Sequence, residues 1–282
     1  MKLIATDMDG TLLNDERKIS KENAEAIKAA QQDGIHVVVA TGRDFKEASM
    51  PLKEAGLTCP ILCVNGAEER SANGELIHAV SLAKNEALTI LDILTAADVY
   101  FEVYTNRGAF TDDYEKGLEI VIDVLQSAGS DDSYEKMREI AKHRFESGAV
   151  QLTEDYTKLI DSTAVYKFLA FSRDETKRQA AKDDLEKKDV FSVSASASDN
   201  LEITHWQAQK GIALRRLAER LGINSDDVMA IGDNLNDVSM LKYAGTAVAM
   251  ENGEAEVKQL ADFVTASNED NGVAKAINKW LK

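Results

Sequence analysis

Leu3-Ile4-Ala5-Thr6-Asp7-Met8-Asp9-Gly10-Thr11-Leu12 opens with a short apolar run and closes in a turn. Residues 3–5 have the uninterrupted apolar character of a strand buried on both faces, and Gly10-Thr11 turns the chain away from it. Asp7 and Asp9, two positions apart, share a face where that strand ends. In an open α/β sheet, ligands collect outside the carboxyl ends of the strands. Two acids of one sign at that spot point to a metal site, a nucleophile, or both.

The pattern continues outward from there. Ser20 reads as an N-cap, with Ile19 before it, for a helix whose stripe is Ala24, Ile27 and Ala30 and which Gly34 ends. Residues 35–40 form a continuous apolar run too short for a helix, hence a buried parallel strand. A helix over 44–55 and a strand over 61–64 complete a βαβαβ order. That order predicts an α/β fold with a doubly wound, Rossmann-like parallel sheet. Asn73-Gly74, between 68–70 and 76–78, is a two-residue hairpin signal.

From residue 83 the regime changes, and helices and strands mix without strict alternation. Strands are expected at 99–104, 109–111, 165–171 and 190–197, and helices at 83–94, 114–128, 134–145 and 174–188. On the last of these strands Ser192, Ser194, Ser196 and Ser198 line one face. Strict order returns with strands at 201–204, 228–231 and 246–249, a helix at 211–221, and a final helix from Val273. The chain therefore reads as one sheet domain, 1–82 together with 198–282, carrying an inserted α+β module at 83–197.

Of the 282 residues 44% are hydrophobic and 29% charged, the profile of a globular enzyme and not of a disordered chain. No run approaches the length of a membrane span. The apolar stretch behind Lys2 stops at Asp7 without a small-residue cleavage site, so no secretory signal is read and the expected location is the cytoplasm. Cys59 and Cys63 flank a strand and read as buried apolar residues, not as a disulfide. A formal net charge of −16 steers nucleic acid and anionic membranes away. It also disfavours anionic small molecules, so any phosphate site has to build its own positive field from a cation, a lysine and backbone N–H groups.

Three further motifs carry chemistry. Ala40-Thr41-Gly42-Arg43 puts a hydroxyl and a glycine amide at a strand tip, a plausible oxyanion cradle, although Thr-Gly is also a common strand-to-helix joint. Lys210 opens a helix, where the dipole disfavours it, and reads either as a solvated lysine or as an anion clamp. Gly232-Asp233-Asn234-Leu235-Asn236-Asp237 follows a strand. A glycine turn with an Asp N-cap explains one acid but not the pair plus Asn236.

Taken in this order, Asp-x-Asp-Gly-Thr-Leu, Ala-Thr-Gly-Arg, Lys-Gly and Gly-Asp-x-x-Asn-Asp resemble the haloacid dehalogenase superfamily of phosphohydrolases. The inserted module resembles a type C2 cap (subclass IIB). With Val64-Asn65-Gly66-Ala67, this makes the chain similar to the Cof-type sugar-phosphate phosphatases. The resemblance implies that Asp7 is the nucleophile, forming an aspartyl-phosphate, and that Asp9 protonates the leaving alkoxide and then activates water. It implies Mg²⁺ on Asp7, the backbone carbonyl of Asp9, and Asp233, with Asp237 contributing through water or from behind. Physical chemistry supports a cation, since a phosphate charge about 4 Å from a carboxylate costs roughly 4 kcal/mol at an effective dielectric of 20.

By the same resemblance Thr41, the Gly42 amide, Lys210, Asn236 and the backbone near Met8 hold the phosphoryl oxygens. Arg43, Asn65 and the loop Thr105-Asn106-Arg107 are candidates for the alcohol portion. The implied partner is a small phosphomonoester. The alternatives are a phosphomutase of the same superfamily, which returns the phosphoryl group to a sugar, and a signalling receiver domain, which lacks an acid two residues beyond its phosphoacceptor.

Overall fold

The computed structural model describes residues 1–127, 132–195 and 199–280. The chain starts β1 (Leu3–Thr6), α1 (Lys21–Gln32), β2 (His36–Ala40), α2 (Phe45–Glu54), β3 (Ile61–Cys63), β4 (Glu68–Arg70) and β5 (Leu76–Ala79). It continues through α3 (Lys84–Ala96), β6 (Tyr100–Thr105), β7 (Gly108–Thr111), α4 (Tyr114–Ser127), α5 (Tyr134–Glu146), β8 (Val150–Leu152) and α6 (Tyr156–Ser162). Next come β9 (Val165–Phe171), α7 (Glu175–Glu186), β10 (Phe191–Ser194), β11 (Asn200–His205) and α8 (Lys210–Leu221). It closes with β12 (Val228–Gly232), α9 (Val238–Tyr243), β13 (Thr246–Ala249), α10 (Ala255–Leu260), β14 (Phe263–Val264) and α11 (Gly272–Asn278).

Two units result: residues Met1–Val80 with Gln207–Lys282, and Ser81–Trp206. The first holds an eight-stranded sheet in the order β14-β13-β12-β1-β2-β3-β4-β5. Every pairing from β14 to β3 is parallel, and β4 and β5 add an antiparallel edge. The chain winds outward from β1 through β2 and β3, then returns to the other side of β1 and winds through β12, β13 and β14. The reversal falls between β1 and β12, and it is beside such a switch point that doubly wound sheets bind ligands. Leu3, Ala5, Val38, Ala40 and Leu62 pack against Leu214, Leu217 and Met240 of α8 and α9, which buries one face. Local signals set the helix starts: Ser20 accepts from the Asn23 N–H and Asp44 from the Glu47 N–H, as N-caps do.

The second unit has a six-stranded sheet, β10-β11-β9-β6-β7-β8, antiparallel except for β7 with β8. Phe101, Val103, Phe168, Ala170, Leu201 and Ile203 pack on one face against Ile90 and Leu94 of α3 and Leu185 of α7. Two of the intervening residues, Glu102 and Glu202, carry charge, and buried Glu102 takes two hydrogen bonds from Arg144, at 2.6 and 2.8 Å.

Three expectations need correction. The strand expected at 201–204 belongs to the second sheet, where Leu201 and Ile203 register with Ala170 and Phe168. The second unit therefore runs to Trp206 and not to 197. Apolar residues at every other position suit a sheet with one apolar face, whereas the first sheet's inner strands are apolar throughout. The hairpin at Asn73-Gly74 has a longer loop than two residues: Ser71 and Glu75 pair across it, and Gly74 sits at φ +86°. This is the three-residue arrangement with glycine in the left-handed position. Finally β8, α6, α10 and β14 were not expected, being too short to show a period. Of the serine run, Ser192 and Ser194 lie on β10, while Ser196 and Ser198 fall outside the described residues.

Candidate active site

The parallel register puts Thr6 beside Ile231, and the Asp7 N–H donates to the Ile231 carbonyl at 2.9 Å, so β1 and β12 end together. The two acidic motifs, more than two hundred residues apart in sequence, therefore meet. Asp7, Asp233 and Asp237, all buried, bring carboxylate oxygens within 4.8 Å of one another. Lys210, at the start of α8, is 1% exposed, which excludes the solvated reading. Its Nζ donates to Asp7 Oδ1 at 2.5 Å and to Asp237 Oδ1 at 2.7 Å.

The acids are not equivalent. Asp237 is fully engaged: Oδ1 faces Lys210, and Oδ2 accepts from the Asp233 and Asn234 N–H groups at 2.9 and 3.0 Å. Asp233 Oδ1 accepts from the Thr11 hydroxyl at 2.6 Å. Burial, then the Asp237 charge, push the Asp7 carboxyl well above the usual carboxylate range, against the pull of Lys210. The same two causes push Asp233 up to about 6. Burial alone would lower the Lys210 pKa, but the Asp237 and Asp7 charges outweigh it and raise the value. Three carboxylates facing one ammonium leave the cluster short of positive charge.

Gly10 is tied to this arrangement. It lies at φ +75°, and a Cβ there would collide with the Asp233 carboxylate. Its carbonyl accepts from Asn252 Nδ2 at 2.8 Å. Met8 is buried, and its carbonyl accepts from the Leu13 N–H at 2.9 Å, closing the turn.

Thr41 and Gly42 follow the tip of β2, next to β1 in the sheet. Thr41 is fully buried, and its Oγ1 accepts from the Arg43 N–H at 3.1 Å. Asn236 is half-buried and donates to Asn65 Oδ1 at 3.4 Å. Arg43 forks onto Asp9, with Nε 2.8 Å from Oδ2 and a terminal nitrogen on Oδ1. An open groove of about 410 Å³ beside them is lined also by Arg17, Glu47 and Pro51. In the second unit, Arg107 donates to the carbonyl and hydroxyl of Ser162, and Asn106 Oδ1 accepts from the Ala164 N–H, so both residues fix their own loop.

Sequence reasoning missed Thr11 and Asn252 as supports. Thr11 stands inside the opening stretch, and its hydroxyl was the available signal. Nothing local marks Asn252, which reaches Gly10 only through the fold.

Three buried acids, two of them bridged by a lysine, thus stand beside the switch point of a doubly wound sheet, where such sheets bind ligands. Comparison with known proteins gives the class. The family model for haloacid dehalogenase-like hydrolases matches residues 4–277. Phosphatase YwpJ of Bacillus subtilis is 34% identical over 285 residues, covering 100% of both chains. The 5-amino-6-(5-phospho-D-ribitylamino)uracil phosphatase YwtE of the same organism is 36% identical, covering 100% of this chain and 98% of its own. A solved haloacid dehalogenase-like hydrolase from B. subtilis superposes with a TM-score of 0.89 at 33% identity, covering 99% of this chain and 100% of that one. The chain belongs to the haloacid dehalogenase-like hydrolases and is a phosphatase of the Cof type.

Proposed function

We propose that the protein hydrolyses phosphomonoesters of small metabolites, sugar phosphates or related polyol phosphates, by way of an aspartyl-phosphate on Asp7. The observation that carries this reading is the buried trio Asp7, Asp233 and Asp237, with Lys210 bridging Asp7 and Asp237. In the first step the Asp7 Oδ–P bond forms as the P–O bond to the alcohol breaks. The leaving oxygen keeps that electron pair and takes a proton from Asp9. In the second step Asp9 removes a proton from water, whose oxygen displaces Asp7 from phosphorus.

The donor set fits Mg²⁺: hard oxygens only, buried, with Asp7 and Asp233 both pushed up by burial and by the neighbouring Asp237 charge, which a cation would offset. Asp7, Asp233 and the Asp9 carbonyl would hold the ion, with Asp237 behind them orienting Lys210 and the Asp233 loop. When bound, it neutralises phosphoryl charge and orients the group for in-line attack. Thr41, the Gly42 amide, the backbone near Met8, Lys210 and Asn236 receive the phosphoryl oxygens. Cys59 and Cys63, both free and buried, support a reducing compartment, the cytoplasm.

Relatives at 36% and 30% identity are named as phosphatases of 5-amino-6-(5-phospho-D-ribitylamino)uracil, which makes that ester the first to include in a substrate panel. With Mg²⁺ present, phosphate release ranked by kcat/KM identifies the substrate. Acid quenching during turnover is expected to leave phosphate on the Asp7 peptide. Asp7→Asn is expected to fold, bind Mg²⁺ and release none. Turnover by that variant near the wild-type rate, with deamidation excluded, refutes the covalent route.

A further inference from the structure

Arg43 was a candidate for touching the alcohol portion, yet its side chain is spent elsewhere. Its guanidinium engages both oxygens of Asp9, with Nε 2.8 Å from Oδ2. The Arg43 side chain is 19% exposed and that of Asp9 is 55% exposed, so the arginine is the fixed partner and the carboxylate the one being held. A planar fork on both oxygens defines position and orientation together, which a single hydrogen bond does not.

The main chain shows what fixes the arginine. Its N–H donates to Thr41 Oγ1 at 3.1 Å, and its carbonyl accepts from the Val64 N–H at 2.9 Å. Val64 lies at φ +50°, a left-handed conformation that a β-branched residue rarely adopts. Asn65 and Gly66 follow at +56° and +90°. Such strain persists only where the surroundings over-determine it. The Asn65 N–H donates to the Thr41 carbonyl at 2.9 Å, and a Cβ on Gly66 would stand 2.7 Å from the Gln209 carbonyl. The strained turn thus grips the Thr41-Gly42-Arg43 segment at two points, one of them the Arg43 carbonyl.

We propose that Arg43 is the positioning residue of Asp9: anchored by the strained Val64 turn, its fork holds a half-exposed carboxylate where one oxygen can be released to move the proton. The proposal rests on the reading of Asp9 as the acid and base. A freely rotating Asp9 would still be present but seldom placed, and loss of placement costs rate without costing substrate affinity.

The test uses single-turnover release of alcohol, with enzyme in excess, from an alkyl phosphate and from p-nitrophenyl phosphate. Arg43→Ala is expected to slow alkyl phosphate about 100-fold and p-nitrophenyl phosphate only a few-fold, with half-saturation concentrations unchanged. Arg43→Lys, which keeps the charge but not the fork, is expected to fall between and to serve if the alanine variant folds poorly. On an Asp9→Asn background, Arg43→Ala is expected to add nothing. Additive losses, equal losses for both esters, or a change confined to half-saturation overturn the positioning role. Equal losses for both esters in Asp9→Asn alone sink instead the underlying reading of Asp9.

Discussion

Lys210 places its ammonium 2.5 Å from Asp7 Oδ1, with the two side chains 0% and 7% exposed. The lysine that grips the proposed nucleophile also pairs with Asp237. Removing one member of a buried ionic group leaves the others uncompensated. Lys210→Met is therefore expected to lower cation-free stability by about 3 kcal/mol. Mg²⁺ is expected to stabilise the variant more than the wild type, because it then supplies the missing charge. Urea unfolding with chelator and with Mg²⁺ measures both effects, and a variant as stable as the wild type in chelator contradicts the argument.

The raised Asp233 carboxyl gives a pH prediction whose sign differs between folding and cation binding. With a folded-state pKa of about 6 against an ordinary 3.8, the group favours folding at low pH, and that contribution disappears as pH rises through about 6. Cation binding needs the carboxylate, so Mg²⁺ affinity is expected to climb between about pH 5 and pH 7 as Asp233 ionises, with the raised Asp7 acting in the same direction. Calorimetric titration across that range reads the curve, and a flat profile speaks against Asp233 as a ligand.

Gly10 and Gly34 form a matched pair. Both have positive φ, +75° and +79°, but a Cβ meets the Asp233 carboxylate at Gly10 and nothing within 4 Å at Gly34. Gly34→Ala is expected to cost about 1–2 kcal/mol of stability and to leave activity intact. Gly10→Ala is expected to carry a similar backbone cost and to weaken Mg²⁺ binding at least about tenfold by displacing Asp233. Equal Mg²⁺ affinity in the two variants defeats the claim.

Much of the first unit was legible because its strands are short apolar runs bounded by glycine, and its helices start at N-caps such as Ser20 and Asp44. The misassigned stretch, Leu201-Glu202-Ile203-Thr204, shows how this reading fails. Its alternation suits a sheet with one apolar face, but its place at the head of the returning strand–helix order put it in the wrong sheet. Which sheet a strand joins depends on partners such as Phe168 and Ala170, which are distant in sequence.

The opening stretch and its three companion motifs determined the acids, the lysine, the fold class and the family. These follow from residue type and short spacing, which do not depend on the rest of the chain. Only the tertiary structure decided who touches whom: Asp237 facing Lys210 while capping the Asp233 loop, Thr11 on Asp233, Asn65 on Asn236, and Arg43 forked onto Asp9. Hydrogen bonds act over about 3 Å and are directional, so they are fixed by strand register and by a turn such as Val64-Asn65-Gly66, whose strain is not written in any one residue.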